Sequence, residues 1–175
     1  ISKMVPTKDN SRFYAFGRVF AGTARSGKVK ILFNDHDPGN TDALATYKQK
    51  TYLNDTIQRV VLMMAANVEM IDSIPVGNTL GLSGVDKSIV KSATIVSENS
   101  LDCYPLKNIA FSVSPVVQYA LRPKNMADLG KFVEQMKKFV KSDPCLQYIT
   151  TQEGEHILAG AGELHLEVAI EQFRT

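Results

Sequence analysis

The materials of several protein classes are scarce in this sequence. Its 175 residues include two cysteines, Cys103 and Cys145, too few for a disulfide framework and without the paired spacing of a metal motif. They read as packing residues of a protein kept in a reducing compartment. A surplus of charge is missing too. The 20 basic and 18 acidic residues nearly cancel, so the footprint of a protein that lives on duplex nucleic acid is absent and any RNA contact has to be local. Apolar runs are interrupted within a few residues, which leaves no span for a membrane, and the opening Ile1-Ser2-Lys3-Met4 has no signal-peptide pattern. An Ile in first place is what a piece cut from something larger would show.

The chain is long enough for one large domain or two small ones, each with a core of its own. Division near residue 105 gives 12 basic and 10 acidic residues before it and 8 of each after it, so neither half is a charged tail. From Phe13 to about Ser97 short β-type runs alternate with turn signals. Val29, Ile31 and Phe33 keep a period of two, and Thr56 to Met64 and Thr79 to Ser83 are further runs bounded by Asn54-Asp55, Pro75 with Gly77-Asn78, and Gly84. This spacing, without an amphipathic helix between strands, predicts a closed or nearly closed β-barrel. Asn34 to Asn40 reads as a surface loop, and the stretch from Ser97 to Leu106 as a connection.

The rhythm changes after Leu106. Ala110 to Leu121 is β-rich and stops at Arg122-Pro123. Met126, Leu129, Val133, Met136 and Val140, widened by Phe132 and Phe139, form a helical stripe with Asn125 as N-cap and Asp128 complementing the dipole; Pro144 ends it. Leu146 to Thr151 and Glu155 to Ala159 predict two strands joined around Gly154. Gly160 and Gly162 then lead into a second helix, where Leu164 pairs with Val168, and Leu166 with Ile170 and Phe173. Strand, helix, strand, strand, helix is a split βαβ sandwich lacking its last strand.

Catalytic motifs find little support. Gly22-Thr23-Ala24-Arg25-Ser26-Gly27-Lys28 imitates a P-loop, but Val29 stands where a Ser or Thr hydroxyl must hold magnesium, and Lys28 to Phe33 alternates like a strand. The segment reads as a hairpin turn, and no nucleotide is expected on it. His36, between Asp35 and Asp37, has no further ligand at a diagnostic spacing and reads as part of a solvated loop. His156 beside Glu155, and His165 between Leu164 and Leu166, point away from their neighbours on a strand or a helix, so neither makes a ready couple. We assign no catalytic, cofactor-binding or metal residue. Gly160-Ala161-Gly162 before a helix suits an anion-binding nest, though a sharp turn with Glu163 or Glu167 at the helix start explains it more simply. Lys131, Lys137, Lys138 and Lys141 read as a solvated helix face, with Glu134 pairing with Lys138; an rRNA phosphate patch extended by Arg122 and Lys124 is the sharper alternative.

The longest motif strings are Gly154-Glu155-His156 with Gly160-Ala161-Gly162-Glu163-Leu164-His165-Leu166-Glu167, preceded by Ser112-Val113-Ser114-Pro115 and Lys141-Ser142-Asp143-Pro144. They closely resemble the third domain of the elongation factor 2 family, eukaryotic and archaeal ribosomal translocases and counterparts of bacterial elongation factor G. Upstream, Phe13-Tyr14-Ala15-Phe16-Gly17-Arg18-Val19-Phe20, Pro75-Val76-Gly77-Asn78 and Gly84-Val85-Asp86 resemble the family's second domain. The resemblance implies a fragment of a eukaryotic member: a domain II β-barrel at about residues 1–105, then most of a ferredoxin-like domain III at 106–175. It also implies a cytoplasmic protein whose partners are the ribosome and its own GTPase and tip domains, without DNA or membrane. GTP and Mg would sit on a GTPase domain outside this chain, which would itself be no enzyme but would relay rearrangement during translocation. Gly160, Gly162, Glu163, His165 and Glu167 become candidates for an interdomain or ribosomal surface, and Arg122, Lys124, Lys131 and Lys138 for rRNA phosphates. Two other readings compete: a paralogous GTPase of the U5 spliceosomal particle or of large-subunit maturation, and a stand-alone binding module.

Overall fold

The computed structural model describes residues 1–7, 12–34, 36–38, 52–65, 67–100, 102–107, 115–123, 125–143, 145–152 and 154–174. The chain divides into two compact units, Ile1–Asn108 and Ile109–Thr175.

Among the described residues the regular elements of the first unit are all β-strands. In chain order its strands are β1 (Lys3–Pro6), β2 (Phe13–Arg18), β3 (Thr23–Arg25), β4 (Gly27–Leu32), β5 (Tyr52–Ile57), β6 (Arg59–Met64), β7 (Asn67–Ile71), β8 (Ser73–Pro75), β9 (Thr79–Ser83) and β10 (Thr94–Ser97). They form sheets of order β1-β2-β9-β6-β7, β10-β4-β5 and β3-β8, every pairing antiparallel. Alternation along β2 buries Phe13 and Ala15. These join Met4, Ile31, Ile57, Val60, Ile74, Leu80, Leu82, Val85 and Ile89 in one core. Val85 sits there because Gly84 turns the chain at φ +106, where a Cβ would press to 2.9 Å from the Thr56 carbonyl oxygen.

The run from Thr56 to Met64 breaks at Gln58, whose N–H donates to the Ser83 carbonyl at 2.9 Å, and its halves enter different sheets. The P-loop imitation is a strand-to-strand corner rather than a hairpin, since β3 pairs with β8 while β4 pairs with β5 and β10. His36 is no part of a solvated surface. It is 4 % exposed, and its ring meets Tyr52 edge-on at 6.2 Å. Asp35, Gly39, Asn40 and Thr41 lie outside the described residues. Cys103 and Cys145 are both exposed, so neither is a packing residue.

The second unit contains β11 (Val117–Leu121), a 3-10 turn (Met126–Asp128), α1 (Leu129–Ser142), β12 (Gln147–Thr150), β13 (His156–Gly160) and α2 (Glu163–Arg174). The predicted strand from Ala110 begins at Val117; residues 110–114 lie outside the described ones. The sheet order is β11-β13-β12, antiparallel throughout, with β13 in the centre. Gly154, at φ +85, closes the hairpin between β12 and β13. Met136, Leu146, Leu158, Leu166 and Ala169 form the core, with Phe132, Phe139, Val140 and Ile170 packed against it.

The helical stripe is narrower than predicted. Met126, in the 3-10 turn rather than the helix, is exposed, as is Leu129, so the seam of α1 runs through Phe132, Met136, Phe139 and Val140. Neither Asn125 nor Asp128 makes a side-chain capping bond. Asp128 instead faces Lys131 at 3.7 Å in an exposed pair, a contact that adds little stability in water. On α2 the predicted Leu164 and Val168 pair stays outside, while Leu166 and Ala169 are buried.

Candidate functional site

The C-terminus of α1 and the junction from β13 into α2 meet through two side chains 22 positions apart. Asp143 precedes Pro144, and a residue before proline is pushed towards extended backbone. Asp143 adopts φ −118, ψ 112 and ends the helix. Its Oδ1 accepts the Cys145 N–H at 2.8 Å, which fixes the turn, and its Oδ2 lies 2.8 Å from His165 Nε2. On the other side of the ring, His165 Nδ1 accepts the Ala161 N–H at 3.3 Å. With Nδ1 accepting, the hydrogen-bond network assigns the proton to Nε2, which donates to Asp143. One imidazole thereby clamps Asp143, at the end of α1, to the Gly160-Ala161-Gly162 turn.

That arrangement decides what His165 can do. Both ring nitrogens are engaged within the fold, so the side chain has no vacant nitrogen with which to act as a general base. The nest reading of the glycine turn weakens for a related reason: the Ala161 N–H that would face an anion is spent on His165. Among the described residues no group of three or more His, Cys, Asp or Glu side chains is placed to hold a metal ion.

The candidates separate by direction. Gly160 is buried at the end of β13, where a Cβ would meet Leu166 Cδ2 at 2.9 Å and His165 Nδ1 at 3.2 Å. Gly162 has open space around its Cβ position and no positive φ, so no turn geometry demands glycine there. Its carbonyl accepts the Leu166 N–H at 3.2 Å and starts α2. Glu163 and Glu167 point outward. Glu163 accepts from the Tyr119 hydroxyl at 3.4 Å. The pKa of that hydroxyl lies above the ordinary tyrosine value, first through desolvation and then through the charge of Glu163, the hydrogen bond to it and the charge of Glu167.

Arg122 is exposed just after β11, and Lys131 and Lys138 are exposed on α1. Seven positions bring those two lysines to nearly the same side of the helix, about 10 Å apart along its axis. Lys124 lies outside the described residues. The predicted Glu134 to Lys138 pair is absent from the salt bridges formed among the described residues. Two groups were missed in the sequence. Asp143 belonged to a quoted motif, yet nothing local revealed its partner. His156 stacks on Tyr148, whose hydroxyl lies 2.6 Å from its Nδ1, with Phe132 edge-on to the imidazole at 5.6 Å.

Residues 113–175 match the family model of Elongation Factor G, domain III. The matched stretch contains every strand and helix found among the described residues of the second unit, and both motifs that Asp143 and His165 join. It is the second unit that is similar to this domain; the match does not extend into the first. Among the described residues no helix is long and apolar enough to cross a membrane.

Proposed function

We propose that this chain is the non-catalytic middle of a translational GTPase of the elongation factor 2 type, a β-barrel domain II followed by domain III. On this reading it relays rearrangement of a GTPase domain to tip domains as tRNA and mRNA move through the cytoplasmic ribosome. GTP and its magnesium ion belong to the GTPase domain. The observation that carries the reading is the match of residues 113–175 to domain III. The clamp adds a physical reason: a bond between the end of α1 and the start of α2 makes them move together, as a relay by rigid-body rotation requires.

The test uses the full-length protein. Replacing His165 by Ala is expected to slow ribosomal translocation per folded molecule several-fold while GTP affinity stays unchanged. If the substitution lowers the melting temperature and leaves translocation per folded molecule intact, the clamp is merely structural and the relay loses its support. A full reading frame whose upstream domain lacks a P-loop would favour the stand-alone binding module instead.

A further inference from the structure

The outer face of α2 sets carboxylates beside exposed apolar side chains. Glu163, Glu167 and Glu171 recur every fourth residue and are exposed. Beside them, 100° further round at each step, stand Leu164 and Val168, 74 % and 51 % exposed. Opposite charges at this spacing support a helix, whereas like charges four apart oppose one another. The dipole and the Tyr119 hydroxyl account for Glu163 in the first turn, but the dipole does not account for Glu167 further along. Glu163 and Glu167 form no ion pair with lysine or arginine among the described residues. Val116, 77 % exposed, stands at the same end of the unit, its N–H bonded to the Gly160 carbonyl at 3.1 Å.

We propose that this face is a docking surface for a basic protein segment that carries apolar side chains, with lysines or arginines meeting the carboxylate row and the apolar ones covering Leu164 and Val168. Charge complementarity selects the occupant. A nucleic-acid backbone would bring its phosphates against the Glu163 and Glu167 carboxylates, and the apolar row offers it nothing, so RNA is the wrong chemistry for this face. The inference deepens the relay reading, on which it rests for the existence of a partner. It also divides the candidate surface: Glu163 and Glu167 contact the partner, while Gly160 and His165 hold the helix that presents them.

The test titrates the 175-residue chain with a fluorescent amphipathic leucine–lysine peptide, with oligolysine and with a single-stranded oligoribonucleotide. The peptide should bind, and Glu163→Gln with Glu167→Gln, or Leu164→Ser with Val168→Ser, should each weaken it roughly tenfold. Glu69→Gln with Glu98→Gln, exposed carboxylates of the first unit, should leave it unchanged. Circular dichroism checks that each variant folds. Absence of peptide binding, equal binding by the α2 variants, equal affinity for oligolysine, or tighter binding of the RNA would each overturn the proposal. Such a result leaves the translocation test of the relay standing, and a failed translocation test leaves the peptide result standing.

Discussion

Two glycines of one motif should respond in opposite ways to a side chain. At Gly160 a methyl group meets Leu166 Cδ2 at 2.9 Å and Cγ at 3.1 Å, and Leu166 is 0 % exposed, so the neighbour has no free volume to rotate into. Overpacking of this kind costs about 1–3 kcal/mol. For a unit of this size each kcal/mol lowers the melting temperature by roughly 4–8 °C, so Gly160→Ala should cost on the order of 5–20 °C. The contact to His165 Nδ1 at 3.2 Å should also loosen the Ala161 N–H bond, visible as faster exchange of that amide. Gly162→Ser is the counterpart. Its Cβ enters open space, its φ suits any residue, and serine is preferred at a helix N-cap, so stability should be unchanged or rise by a few tenths of a kcal/mol. Calorimetry and amide exchange on the two variants decide the matter. Equal destabilisation by both, or a Gly160→Ala cost below about 0.5 kcal/mol, would show that the turn is not held by the contacts described.

Asp143→Asn and His165→Ala should each cost about 1 kcal/mol in urea unfolding, with a coupling of about 0.5–1.5 kcal/mol in the double-mutant cycle, because the His165 and Asp143 side chains are 28 % and 36 % exposed and water screens part of the contact; additive costs would refute the clamp. The Tyr119 hydroxyl should titrate above its ordinary value of 10.0, and Glu163→Gln should bring its ultraviolet midpoint down. Since the folded state holds this proton more tightly than the unfolded one, the stabilisation is present below about pH 10 and is lost as pH rises through the raised value. Isothermal titration with magnesium and GTP should give no saturable heat with this chain, because Gly22 to Val29 lacks both the hydroxyl and the helix of a P-loop.

The elements that were legible in the sequence are those whose burial is periodic. The seam of α1 and the hairpin around Gly154 declare themselves through spacing and one turn residue. By contrast β7 was missed because four of its five residues are exposed and no alternation marks it. The split of β5 from β6 was hidden because Gln58 interrupts the strand through a bond to Ser83, a partner that local sequence does not name. His36 deceived through turn-rich neighbours, since the Tyr52 ring that it meets stands sixteen positions later. For the same reason the candidate site was half visible: the string containing His165 stood out, but pairing with Asp143 is a product of the fold.

The two cysteines acquire a use from the places where they ended up. Cys103 belongs to the first unit and Cys145 to the second, and both thiols are exposed. A donor and an acceptor dye on these native positions would form a molecular ruler between the units, with no cysteine to add or remove. The dye on Cys145 would sit on the residue whose amide is bonded to Asp143, so its emission would also register the loosening of the neighbouring turn. A single labelled sample could then tell an inter-unit swing from a local opening, since distance reports the first and dye environment the second.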